Sequence, residues 1–130
     1  MGIAHMALCT FRLEELREFY VRHFGGVSSE KYTNPAKRFA SYFISFDGGC
    51  RLELMRRPDI GSSPELPHTG YCHMAFECAS REEVRTRTEQ LRADGLRIVG
   101  EPRTTGDGCY ESVVEDPDGN PIELIYENER

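Results

Sequence analysis

No stretch of this chain of 130 residues approaches the roughly 20 apolar residues that a membrane-crossing helix needs. The opening residues, MGIAHMALCTFR, lack the basic start and long apolar run of a secretory signal, and Met6 stands where myristoylation wants Ser or Thr. There is no C-x-x-C pair. The cysteines (Cys9, Cys50, Cys72, Cys78 and Cys109) are odd in number, which argues against a disulfide framework and against a zinc knuckle. They read as small buried apolar residues in a reducing cytoplasm. Positive charge is short as well: 16 Lys and Arg face 22 Asp and Glu, a net charge of −6. Such a surface repels phosphate backbones, so neither nucleic acid nor membrane is an expected partner. Lysine is the scarcer of the two, 2 against 14 Arg, a bias that genome composition explains as well as any function does.

What is present fits a folded soluble protein: 38% of the residues are hydrophobic and 29% charged. A chain of this length forms one domain and buries roughly two-thirds of its unfolded surface.

The chain repeats itself. HMALC at 5–9 returns as HMAFEC at 73–78, and LELM at 52–55 returns as IELI at 122–125. His73 thus answers His5 and Glu123 answers Glu53, at a common spacing of about 70 residues. The domain is therefore two copies of one unit, about 1–57 and 70–130, joined by the Pro- and Ser-rich linker at 57–69.

Each copy has the same grammar. Ile3–Cys9 alternates as a strand, and Leu13, Leu16, Tyr20 and Phe24 recur at helical spacing before Gly25. Phe39–Phe46 and Cys50–Met55 are strands around Asp47-Gly48-Gly49. In the second copy Tyr71–Cys78 is a strand and Ser80-x-x-Glu83 is a capping box that opens a helix ending near Gly95. Cys109–Glu115 and Pro121–Glu127 are strands around the turn Asp116–Asn120. A weaker strand precedes each hairpin, near Val27–Tyr32 and Leu96–Val99. The expected fold is α+β: two tandem βαβββ units forming a curved mixed sheet with helices outside.

Each copy places one His in its first strand and one Glu in its last. Strand alternation sets Glu53 against Leu52 and Leu54, and Glu123 against Ile122 and Leu124. A single such His is ordinarily a packed, hydrogen-bonded residue, and a single such Glu faces water. Matched placement in two copies points instead to a divalent metal held by His5, Glu53, His73 and Glu123. Two nitrogen and two oxygen donors suit Zn, Ni, Co, Mn or Fe, and the absence of a thiolate pattern argues against a closed structural zinc site.

The segments IAHMAL, FYVRHFGG, RLELM, YCHMAFE and VVEDPDGNPIELIYE resemble the vicinal oxygen chelate superfamily, also called glyoxalase/bleomycin-resistance/dioxygenase, from Ile3 to Glu127. The order His-Glu-His-Glu resembles metal-dependent glyoxalase I. That resemblance implies a lyase or isomerase, lactoylglutathione lyase-like, that moves a proton between adjacent carbons of a small oxygenated substrate through a metal-bound enediolate. It implies Glu123 as the proton-moving base, with Glu53 as its counterpart, and a thiol such as glutathione as co-substrate. Where bacterial glyoxalase I tends to carry an Arg, four residues after the first His, this chain has Cys9. Acyl-CoA epimerases, antibiotic-resistance thiol transferases and non-catalytic small-molecule-binding proteins of the same superfamily are the alternatives. Members also form homodimers in which the metal site is either intrachain or shared between chains.

Three further residues are candidates for substrate contact. Glu77 shares a face with His73 but lies about 13 Å along the strand, too far to join it on a metal. Arg38 (with Lys37) and Arg103 would suit an anionic substrate, although solvated surface charge is the simpler reading of each. Tyr42, Phe43 and Tyr110 are expected in the core or lining a pocket.

Overall fold

The alternating stretch His5–Cys9 forms β1, and the helical spacing after it forms α1 (Leu13–Phe24). In this computed structural model residues 1–62, 65 and 67–128 are described. Residues 63, 64 and 66 of the expected linker lie outside them, as do 129 and 130. The chain divides into two compact units, Met1–Ser63 and Pro64–Arg130.

In the first unit α1 buries Leu13, Leu16, Phe19 and Tyr20 and ends at Gly25, whose φ of 69° is the left-handed value glycine adopts most easily. The expected Val27–Tyr32 strand is two short pieces, β2 (Val27–Ser28) and β3 (Tyr32–Asn34). Both pair antiparallel with β4 (Phe39–Ser45), which pairs antiparallel with β5 (Arg51–Arg56). A 3-10 turn, Pro35–Lys37, joins β3 to β4 and is capped by the Asn34 side chain. β1 then lies parallel to β5, giving the order β1-β5-β4-β2 with β3 also on β4.

The second unit repeats this order. It runs β6 (Met74–Glu77), α2 (Arg81–Ala93), β7 (Ile98–Thr104), β8 (Tyr110–Glu115) and β9 (Pro121–Tyr126), with the sheet order β6-β9-β8-β7. In both units the first strand is parallel to the last and the rest are antiparallel. Each sheet is therefore mixed, and each carries its helix on one face. Ile44, Leu52 and Leu54 form the core beneath α1; Val114, Ile122 and Leu124 form the core beneath α2. Burying side chains of this size stabilises each unit by about 1.5–3 kcal/mol per residue.

Most strand bounds shift by a residue or two from the sequence expectation, β1 starting at His5 rather than Ile3 among them, and β6 and β7 depart further. β6 begins at Met74, so His73 precedes the strand rather than sitting inside it. The register Met74↔Ile122 sets His73 opposite Pro121, which has no N–H to give. In the first unit the equivalent residue, Arg51, donates its N–H to the Ala4 carbonyl at 3.3 Å, and the ladder extends to His5. β7 is longer than expected and runs through Gly100 and Pro102, because an edge strand tolerates proline and register shifts. Among the described residues no helix is long and apolar enough to cross a membrane.

Candidate metal-ligand pairs

The parallel register positions each His against its Glu. In the first unit Ala7 lies opposite Glu53, and in the second Ala75 lies opposite Glu123. Residues two apart on a strand share a face, so His5 and His73 are the diagonal neighbours of those carboxylates. The intervening alanine presents only a methyl group and leaves room for the two longer side chains to meet. His5 Nε2 stands 3.8 Å from Glu53 Oε1, and His73 Nε2 stands 3.3 Å from Glu123 Oε1. Both imidazoles are 42% exposed and the two carboxylates 16% and 15% exposed, so the two pairs are equally open to solvent. All four lie on the sheet face turned away from the helix, since Leu52, Leu54, Ile122 and Leu124 alternate to the other side.

The donors fit a divalent ion of borderline hardness. At 3.8 Å the first pair is too far apart for a hydrogen bond, yet its nitrogen and oxygen face each other. With metal–ligand bonds of roughly 2.1 Å, two adjacent ligands stand about 3 Å or slightly more apart, which both pairs approach. Among the described residues no three His, Cys, Asp or Glu side chains gather as a metal cage. Each unit holds one imidazole–carboxylate pair.

The surroundings of the pairs differ. In the first unit Phe43 lies opposite Glu53; its ring meets the His5 ring edge-on at 5.4 Å, and the Arg51 guanidinium sits 4.4 Å above it. In the second unit Val113 lies opposite Glu123, and Glu111 stands one step along the same face, 8% exposed. Arg103 on β7 is opposite Glu111, with Nη2 3.7 Å from its Oε1, and also donates to the Glu101 carbonyl at 3.5 Å. Burial pushes the Glu123 carboxyl above the usual carboxylate range, and the hydrogen bond and charge of Glu111 push it the same way; His73 and Arg103 pull it back.

The remaining candidates fall at different distances from the pairs. Glu77 is exposed at the end of β6, on the face of Ala75. Arg103 lies inside β7 rather than in a loop and reaches the Glu123 neighbourhood through Glu111. Arg38 ends the 3-10 turn at the far end of the first sheet, away from His5. Tyr42 is buried on the helix face and donates its hydroxyl hydrogen to the Glu14 carboxylate, and Tyr110 carries the Arg81 and Arg85 guanidinium groups over its ring. Glu111 was not evident from the sequence. Its signal was alternation: in YESVVE it shares a face with Val113, two residues from the position opposite Glu123.

Comparison with known proteins agrees with this architecture. Over 117 residues, 87% of this chain, it is 31% identical to a lactoylglutathione lyase of Arabidopsis thaliana, of which it covers 40%. Over 59 residues it is 39% identical to the uncharacterized protein YqjT of Bacillus subtilis, covering 46% of it. The chain thus spans less than half the length of these curated relatives. Among solved structures, a glyoxalase family protein from Enterococcus faecalis superposes with a TM-score of 0.79 at 25% identity, covering 95% of this chain and 96% of that one. Glyoxalase I from Zea mays superposes at 0.80 with 22% identity, covering 98% of this chain and 45% of that one, a likeness of fold. The family model described as Glyoxalase/Bleomycin resistance protein/Dioxygenase superfamily matches residues 2–124. With so little of the chain outside that match, this protein belongs to the Glyoxalase/Bleomycin resistance protein/Dioxygenase superfamily.

Proposed function

We propose that this member of the superfamily is a metal-dependent lyase or isomerase of the glyoxalase I type, moving a proton between adjacent carbons of a small oxygenated substrate. The observation that carries the reading is the duplicated His–Glu pair, alike in register, separation and exposure. Simple sequestration of a small molecule gives no reason to build that pair twice. His5, Glu53, His73 and Glu123 would hold a divalent ion, which supplies Lewis-acid stabilisation of negative charge on substrate oxygens. The four ligands come from one chain or, in a homodimer, from two.

Glu123 is the proton-moving group. Its carboxyl is largely buried, sits beside a second carboxyl and holds its proton more tightly than an ordinary glutamate. That is the tuning a base needs when it takes a proton from carbon and returns it to the neighbouring carbon. Glu111 stands beside Glu123 on the adjacent strand β8, and Arg103 holds Glu111 from β7 beyond it. Among the described residues Glu53 has Phe43 opposite it, with Arg51 over that ring, and no second carboxylate, and it serves as a ligand. The Arabidopsis relative's name suggests the thiol adduct of a 2-oxoaldehyde as the first substrate to try.

Elemental analysis tests this directly. Protein stripped with a chelator and reloaded with Zn, Ni, Co or Mn is expected to retain about one metal for each set of four ligands, and His5→Ala is expected to lose it. Equal metal content in both proteins, or none in either, would refute the reading.

A further inference from the structure

A cavity of about 420 Å³ opens at the far end of the first unit's sheet, in the size range of small-molecule pockets. Phe11, Asn34, Arg38, Phe39, Arg56 and Arg57 are among the residues that line it. Three guanidinium groups around one cavity are unexpected in a chain of net charge −6. One of them is already engaged: Arg57 donates two hydrogen bonds to the Asp59 carboxylate, at 3.0 and 2.9 Å. Arg38 and Arg56 meet no carboxylate among the described residues. Arg38 is also held at a φ of 52°, a left-handed conformation that a residue with a side chain rarely adopts.

The cavity is separate from the His5–Glu53 pair. Arg56 follows Glu53 by three residues on β5, roughly 10 Å along the strand. Strand alternation sends Arg56 to the face of Leu52 and Leu54, opposite to Glu53. The strand residue paired with it, Ala40, is small and leaves the space open.

The chemistry of the lining selects a ligand class. One arginine fork satisfies a carboxylate, whereas two unpaired forks suit a doubly charged phosphate. Phe11 is 61% exposed and Phe39 also lines the cavity, so a flat apolar ring has an aromatic surface to cover. We propose that this cavity binds a phosphate monoester carrying a flat ring, with Arg38 and Arg56 holding the phosphate and Phe11 holding the ring.

Titration calorimetry on the full chain tests the proposal, with adenosine 5′-monophosphate, adenosine and inorganic phosphate as probes. One nucleotide is expected to bind per chain, more tightly than either fragment. Arg38→Gln and Arg56→Gln are each expected to weaken it about tenfold or more. Phe11→Ala is expected to weaken the nucleotide while leaving inorganic phosphate unchanged. No saturable binding of the nucleotide would overturn the proposal. So would affinities unchanged in both arginine variants, or a nucleotide bound no more tightly than phosphate. The assay contains no catalytic step and no metal, so its outcome is independent of the lyase reading.

Discussion

The two units build the same His–Ala–Glu arrangement and surround it with different residues. Where the first has Phe43 opposite its carboxylate, the second has Val113; where the first has Ser41 and Cys9, the second has Glu111 and Glu77; where the first has Arg51, the second has Pro121. The backbone register was kept between the copies, and the neighbours one step away diverged. The place of each imidazole and carboxylate is thus a property of the repeated fold, whereas the side chains that meet the carboxylate are particular to each unit. The first unit's carboxylate has an aromatic ring opposite it with a guanidinium over that ring, and the second unit's carboxylate has another carboxylate beside it; the proposed division into ligand and base rests on that contrast.

The most demanding test of this contrast is catalytic. With the hemithioacetal of methylglyoxal as substrate, Glu123→Gln is expected to lower kcat by about 10²–10⁴, the usual contribution of a general base. Glu53→Gln is expected to cost distinctly less in kcat at saturating metal. Equal losses from the two variants would erase the distinction between the units. A second test asks whether the repetition extends to stability. Leu54 and Leu124 occupy equivalent places, each next to its unit's carboxylate and fully buried beneath a helix. Leu54→Ala and Leu124→Ala are each expected to cost about 2–5 kcal/mol in urea unfolding. A difference of several kcal/mol between them would show that one core dominates.

The smallest effect concerns the helix starts. In α2 the Ser80 hydroxyl accepts from the Glu83 N–H at 3.0 Å, while the Glu83 carboxylate accepts from the Ala79 N–H. In α1 the N-cap residue, Arg12, makes no side-chain cap hydrogen bond. Ser80→Ala should therefore cost about 1 kcal/mol and Arg12→Ala less than about 0.5 kcal/mol, both read from thermal unfolding.

Much of this was visible in the residues. The repeat, the two helices with Gly25 and Ser80 as their punctuation, and the His–Glu correspondence all follow from local patterns. Features that depend on strand pairing did not. Nothing near His73 says that its strand starts one residue later; the cause is Pro121, almost 50 residues away in sequence but adjacent in register. The strand expected near Leu96–Val99 instead runs from Ile98 through Gly100 and Pro102 to Thr104, because it lies at an edge. Glu111 was hidden for the same reason. Its importance comes from which strand lies beside it and from the Arg103 side chain across that pairing.

The parallel pairing of first and last strands has a consequence for how the site comes into being. The hairpins β4–β5 and β8–β9 close over a few residues, a small entropic step for a folding chain. β1 reaches β5, and β6 reaches β9, only after everything between them has been laid down. Contacts of such long sequence separation form late and slowly. His5 meets Glu53, and His73 meets Glu123, through those closing contacts alone. A nascent or misfolded copy of this protein would have every imidazole and carboxylate and neither pair, so the meeting of these side chains marks a unit whose folding is complete.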